Sequence, residues 1–374
     1  LAFELLAGVP DVVVDPYPHY RALREQAPVH RLELPTGDTV WVLSRYDDCK
    51  AVLASHDFGK DEERNRRRTT LAGEELPPID PSRPAPMLML NPPDHTRIRG
   101  LVSRAFTPRR VDGLRHRIDE LVADVLDPLG DGTDEVDLLD VLAFPLPVAV
   151  IGELVGVPAE DQPRFRTLVR TASASLELFA DAATLAAADQ ALAEMTEYFD
   201  HLVDVRRADP RDDLLSGLIA VEEDGDRIRR DELIANVILL FAAGFETTTN
   251  LIGNGTIALL TNPDELARVR DDRDLVPSAV DEILRFDSPV QVDGRSALVD
   301  TALPDGTPVP KGELVLTLLG AANRDPARFA DPDRFDVGRD DGAPLSFAWG
   351  IHHCLGAGLA RVEGQCTFDA LLDR

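Results

Sequence analysis

From Asn236 to Phe245 the chain reads Asn-Val-Ile-Leu-Leu-Phe-Ala-Ala-Gly-Phe, apolar on every side of a helix. A surface helix carries one apolar stripe, so a segment apolar all round must run through a core that other elements build around it. The helical pattern extends from Asp231 to Leu260, but Glu246-Thr247-Thr248-Thr249-Asn250 interrupts it before Leu251-Ile252 resume. Polar groups within a buried helix cost free energy unless they are hydrogen-bonded. One account has the Thr247 hydroxyl bonding the carbonyl of Ala243, one turn back, and bending the helix. Such a bend beside Gly244 would also open a groove for a small diatomic ligand and ordered water, to which Glu246 and Thr247 could pass protons.

The 374 residues, 44% hydrophobic and 28% charged, suffice to enclose such a helix in one large domain or two to three smaller ones. Helical patterns recur at Pro16–Gln26, Asp94–Ala105, Val111–Leu129, Phe144–Leu154, Asp161–Leu178, Ala182–Arg207 and Pro277–Asp287, and again after Cys354. Alternating runs at Val29–Leu34 and Thr39–Ser44, around Pro35-Thr36-Gly37-Asp38, predict a hairpin, and Val290–Val292 and Leu314–Leu318 are strand-like. The expected fold class is therefore mainly α with a minor β part. The charged, proline-rich stretch 60–86 reads as a long loop.

A net charge of -28 argues against nucleic acid as a partner. Cys49, Cys354 and Cys366 are too few and too scattered for a disulfide framework, which points to a reducing compartment. The apolar runs Leu233–Phe245 and Val141–Val157 are too short for a membrane span or are broken by Pro145, Pro147 and Glu153, and no signal peptide is visible. A soluble cytoplasmic protein is expected. Opening at Leu1 and stopping at Arg374 in a helical pattern, the chain reads as a fragment.

Near the end stands Phe347-Ala-Trp-Gly-Ile-His-His-Cys354-Leu-Gly356, followed by a helical run to Glu363. A thiol at a helix N-terminus meets unpaired N–H groups and the dipole, both of which favour the thiolate. Taken alone, such a cysteine is a small buried hydrophobe. Its frame changes the balance, because Phe347 can lie against a flat ligand while Gly350 and Gly356 permit a tight turn and close approach of backbone. Zinc held by His352, His353 and Cys354 is the weaker alternative, since three consecutive residues rarely converge on one ion and no C-x-x-C spacing is present. A thiolate in an aromatic and glycine bracket suits haem iron. The two haem propionates need cations where they are buried. His95 with Arg99, four apart on one helical face, Arg295, and His352 are the candidates. Glu282 and Arg285, three apart on a helix, would as a surface pair be worth only about 0.2–0.5 kcal/mol, and the turn-rich segment 323–335 can return an arginine to them.

Together these residues resemble the cytochrome P-450 superfamily, as a soluble bacterial-type haem-thiolate monooxygenase, along nearly the whole chain. Phe347-x-x-Gly350-x-His352-x-Cys354-x-Gly356 is similar to its haem-binding signature, and Ala243-Gly244-Phe245-Glu246-Thr247 resembles its oxygen-binding motif. Glu282 and Arg285 match its E-x-x-R pair, with Arg334 where the family completes the triad. His95, Arg99, Arg295 and His352 fall where it holds the propionates. The resemblance implies one haem domain over 1–374, with haem b (iron protoporphyrin IX), Cys354 as the iron ligand and O2 as co-substrate. Ala348 stands where many relatives have glycine, a change expected to matter little. The chain stops before the family's C-terminal β-hairpin, so a domain truncated at that end is expected.

The implied reaction inserts one atom of O2 into a C–H bond of a medium to large hydrophobic metabolite, by hydroxylation or epoxidation. Thr247 and Glu246 are implied as the proton-delivering pair. Electrons would come from a ferredoxin-type donor with its reductase, as no flavin or nicotinamide fingerprint is present. Arg97, Arg99, Arg104, Arg109, Arg110, Arg115 and Arg117 form either a basic dock for it or a solvated helix face. A monomer without nucleic-acid or membrane partners is expected. The pocket is expected from 60–90, Phe165–Phe179 and Val290–Val292, with Met87, Leu88, Leu240 and Ala243 making its interior apolar. Competing readings are peroxide-driven chemistry, against which the intact Glu246-Thr247 pair argues, coupling or desaturation chemistry, and a non-catalytic haem sensor.

Overall fold

A computed structural model describes residues 12, 14–34, 37–61, 68–69, 75–76, 84–104, 106–129, 135–176, 180–222 and 228–374. Most of the loop expected at 60–86, turn residues 35–36, residues 177–179 of the expected pocket wall, and the side chains of Arg109 and Arg110 lie outside the described residues.

In chain order the helices are α1 (Tyr17–Gln26), α2 (Tyr46–Ala54), α3 (Asp94–Ser103), α4 (Pro108–Leu126), α5 (Pro145–Val155), α6 (Gln162–Ser173), α7 (Ala182–Ala208), α8 (Leu214–Glu222), α9 (Arg230–Thr261), α10 (Pro263–Asp271), α11 (Val276–Phe286), α12 (Leu319–Ala322) and α13 (Ala357–Leu372). The strands are β1 (Val29–Glu33), β2 (Thr39–Leu43), β3 (Phe58–Gly59), β4 (Arg68–Thr69), β5 (Glu75–Leu76), β6 (Val292–Ala297), β7 (Thr301–Ala302), β8 (Pro308–Val309) and β9 (Leu314–Leu318). Helix dominates, as periodicity predicts. Helices α2, α8 and α10 escape that argument, because nine residues each give too few turns for a period to stand out. The strand expected at Val290–Val292 instead begins at Val292 and runs to Ala297.

The chain divides into two compact units, one of Leu1–Ile79 with Ile257–Cys354, the other of Asp80–Thr256 with Leu355–Arg374. In the first, five strands form a sheet in the order β1-β2-β9-β6-β3. The hairpin β1–β2 pairs Val29 with Leu43, β2 runs parallel to β9, and β9 runs antiparallel to β6 with Val315 opposite Arg295. The apolar runs Thr39-Val-Trp-Val-Leu and Leu314-Val-Leu-Thr-Leu suit central strands covered on both faces. Leu43, Cys49, Leu53, Val315 and Phe329 belong to the core of this unit.

The same unit buries an ionic staple. Arg285 of α11 donates to both Glu282 oxygens at 2.6 and 2.8 Å, and to the carbonyls of Asn323, Pro332 and Arg334 at 2.9, 2.8 and 3.2 Å. The expected third member is corrected: Arg339, not Arg334, reaches Glu282, its Nε 3.2 Å from Oε1. The backbone turn at 331–336 directs the Arg334 carbonyl toward Arg285, while its guanidinium is exposed near Glu265 and Asp336.

In the second unit α9 is the core helix that the sequence demands. Phe241 stacks with Phe165 of α6 and Phe199 of α7 at 4.9 and 6.1 Å between ring centroids. Buried Asn236 accepts a bond from the Met87 N–H at 2.9 Å, and Thr249 donates to the carbonyls of Ala143 and Phe245 at 2.8 and 3.0 Å. By length and composition α9 could cross a membrane, contrary to the sequence expectation that no segment could, but most of its apolar stretch is buried inside the protein, as in a core helix. α13 packs along α4.

Candidate active site

The cysteine loop belongs to the first unit, and its shape follows from backbone geometry. The N–H of Ala348 donates to Leu345 at 2.8 Å, that of His353 to Gly350 at 3.1 Å, and that of Cys354 to the Phe347 carbonyl at 2.9 Å. Gly350 has φ +73°, and a Cβ there would collide with the carbonyl oxygen of Leu53, so only glycine fits against the end of α2. Ala348 also lies in the left-handed region, at φ 56°. That conformation costs a non-glycine residue about 1–2 kcal/mol. The alanine therefore matters more than the sequence suggests. Cys354 is exposed, with the Phe347 and His353 rings 6.4 Å apart beside it and Lys50 4.2 Å over Trp349.

A cluster of charges surrounds Arg295 on β6. Its Nη1 donates to Asp293 at 2.5 Å and to the Gly294 carbonyl at 2.9 Å, while Lys60 donates to Gly294 at 2.8 Å and lies 3.6 Å from Asp293. Burial acts to raise the Asp293 pKa, but Arg295, Lys60 and His352 together hold it below the usual carboxylate range. Burial in turn lowers that of Lys60. The Nη2 of Arg295 is buried and has no hydrogen-bond partner among the described residues. A buried guanidinium N–H needs an acceptor. An anionic group such as a haem propionate fits that requirement. Sequence reasoning missed Lys60 and Asp293. Strand alternation puts Asp293 on the face of Arg295 and could have found it; nothing in the charged stretch marks Lys60.

In the second unit α3 carries His95, buried, and Arg99, half-buried, one turn apart. Ala243, Glu246 and Thr247 share an accessible face of α9, with Phe241, Phe245, Thr248 and Thr249 buried. The Thr247 hydroxyl donates to the Ala243 carbonyl at 2.8 Å, the back-bond that the sequence suggests. Gly244 points elsewhere: a Cβ on it would meet Ile151 of α5 in ordinary contact at 3.6 Å. The expected basic dock is partly neutralised. Arg97 pairs with Glu232 at 2.6 Å and Arg117 with Glu153 at 2.6 Å, while Arg115 bonds Gln365 at 2.5 Å.

Among the described residues no group of three or more His, Cys, Asp or Glu side chains is arranged to hold a metal ion. A cysteine loop folded on left-handed backbone, a buried guanidinium N–H with no partner among the described residues and a core helix with a threonine back-bond accord with a haem-thiolate protein. The Cytochrome P450 family profile matches residues 16–374, and the chain belongs to that family. It is 43% identical to cytochrome P450 107B1 of Saccharopolyspora erythraea, covering 99% of this chain and 90% of that protein. It is likewise 43% identical to the vitamin D(3) 25-hydroxylase of Pseudonocardia autotrophica, over 96% of this chain and 85% of the relative. The crystal structure of the myxobacterial cytochrome P450 CYP267B1 in complex with myristic acid superimposes with TM-score 0.89 at 40% identity, covering 99% of this chain and 91% of that one. Relatives named as monooxygenases and hydroxylases identify the chain as a cytochrome P450 monooxygenase that uses haem iron and O2.

Proposed function

We propose that this chain, working as one domain over 1–374, is a cytoplasmic, monomeric haem b enzyme that hydroxylates or epoxidises a medium to large hydrophobic metabolite with electrons from a ferredoxin-type donor and its reductase. The observation that carries the reading is the Cys354 loop, whose left-handed Gly350 and backbone bonds present an exposed thiol behind Phe347. Haem iron, when bound, supplies the reductive activation of O2, and a thiolate ligand favours O–O cleavage. Cys354 is the proposed ligand, in a loop where Phe347, Gly350 and Gly356 permit close approach of the ring. Arg295 and His352, with His95 and Arg99, are proposed to hold its carboxylates. Ala243 is proposed to leave room for O2, whereas Gly244, expected beside it, faces Ile151 of α5 instead.

Thr247 and Glu246 are the proposed proton-delivering pair. With its hydrogen donated to Ala243, the Thr247 oxygen can accept a bond from a water, and release of that back-bond frees the hydroxyl to donate in turn. Glu246, accessible one residue before it, can anchor the water or supply its proton. The hydrophobic-substrate reading is supported by the vitamin D(3) named for one relative and the myristic acid bound to another, whereas Met87 and Leu240, expected in the pocket interior, lie buried in the core of the second unit. Spectral titration with macrolide, terpene, steroid, fatty-acid and peptide panels tests it through water displacement from the iron.

Cys354→Ala is expected to abolish the thiolate-type band of the reduced carbon monoxide complex; persistence of that band removes the ligand assignment. Thr247→Ala is expected to retain haem while diverting reducing equivalents into peroxide. Unchanged coupling of reductant to product would eliminate the relay.

A further inference from the structure

Helix α13 carries two buried polar side chains that play no part in the assignments above. Glu363 is 4% exposed and Thr367 0%. Neither Glu363 Oε2 nor Thr367 Oγ1 has a hydrogen-bond partner among the described residues. Four residues apart, they lie on one helix face with Cβ atoms about 5–6 Å from each other. A single water at about 2.8 Å from each partner can bridge two oxygens up to about 5.6 Å apart. Thr367 also departs from other helical threonines: Thr196, Thr247, Thr256 and Thr261 donate to the carbonyl four residues back at 2.7, 2.8, 2.8 and 2.7 Å, whereas the Thr367 hydroxyl makes no such bond.

The surroundings do not answer the carboxyl with charge. On α4, Arg115 bonds Gln365 at 2.5 Å and lies 3.8 Å from the Cys366 sulfur, and Asp119 acts on Cys366, whose thiol is pushed up to about 12 by burial and then by that carboxylate. On α5, Glu153 is held by Arg117. From Thr247 to Thr261, α9 has no ionisable side chain. On α13 itself, the guanidinium of Arg361 lies 3.4 Å from the Ala357 carbonyl. Leu359, Val362 and Cys366 lie with Ile118, Val122 and Ile252 in an apolar cluster around this helix.

We propose that Glu363 and Thr367 form an internal water-binding site in which Glu363 is an un-ionised carboxylic acid. Burial raises the pKa of the Glu363 carboxyl well above the usual carboxylate range. A polar pair enclosed in an apolar core is satisfied by ordered water, which needs two or more polar partners to reside there. The neutral acid donates to that water and the water donates to Thr367, so no charge is buried.

Infrared spectroscopy of the haem-loaded protein at neutral pH, in H2O and D2O, tests the site directly and does not depend on turnover. A carboxylic-acid carbonyl stretch that shifts in D2O, is lost in Glu363→Gln and moves in Thr367→Val is the expected result. Identical wild-type and Glu363→Gln spectra in that region overturn the neutral acid. Should Glu363→Gln fail to fold, Thr367→Val alone decides: a displaced band supports the shared water, and an unmoved band overturns it.

Discussion

Two glutamates on two helices are buried to nearly the same degree, and their surroundings could hardly differ more. Glu282 on α11 faces Arg285, Arg339 and the backbone N–H of Asp336 at 2.6–3.2 Å, so its charge is answered from several directions. Glu363 on α13 meets no cation, and its Oε2 meets no donor among the described residues. Burial alone does not determine what a carboxyl does. One acid ties distant turns of the chain to a helix as an anion; the other escapes the cost of a buried charge by keeping its proton.

Breaking the answered site should give the largest effect. Arg285→Ala leaves Glu282 a buried charge short of its main partner and is expected to cost about 3–5 kcal/mol in urea unfolding, whereas Arg334→Ala, which removes an exposed guanidinium, should change little. Equal losses from both would mean that Arg334 completes the staple after all.

The unanswered site makes a prediction of sign. Below the unfolded pKa of about 4.3 both states of Glu363 are protonated. As pH rises above it, the unfolded chain releases the proton while the folded chain keeps it, so stability falls with pH until the raised native pKa is passed. Relative to wild type, Glu363→Gln is therefore expected to gain stability steadily from about pH 4 upward. Parallel pH profiles in denaturant would show that Glu363 ionises as it does in the unfolded chain.

The smallest effect concerns backbone rather than charge, in the loop shortly before α13. Ala348→Gly relieves a left-handed alanine but loosens the unfolded chain, for a net gain of up to about 1 kcal/mol, measurable as a rise in the unfolding midpoint. A loss would show that the loop tolerates alanine without strain.

Much of this was legible before any fold was known. The apolar run at Asn236–Phe245 demanded a buried helix, and α9 supplies it; the frame around Cys354 pointed to the cytochrome P450 family, and the family match agrees. Strand Leu314–Leu318 was legible to the residue, whereas Val290–Val292 marked only the edge of β6, since Asp293 and Arg295 break the apolar run that identifies a strand. The Glu282–Arg285 pair was visible as a spacing of three, but which later arginine joins it depended on a turn that no periodicity encodes.

Residue types and short-range spacing are properties of the chain itself, so the amino-acid order by itself determined the longer helices, the cysteine frame and the family. Only the tertiary structure decided which charges meet: Lys60 with Asp293, Arg339 with Glu282, and Glu363 with none among the described residues. Ionisation depends on which groups lie within a few ångströms and how much water reaches them, and folding sets both through contacts between residues far apart in sequence.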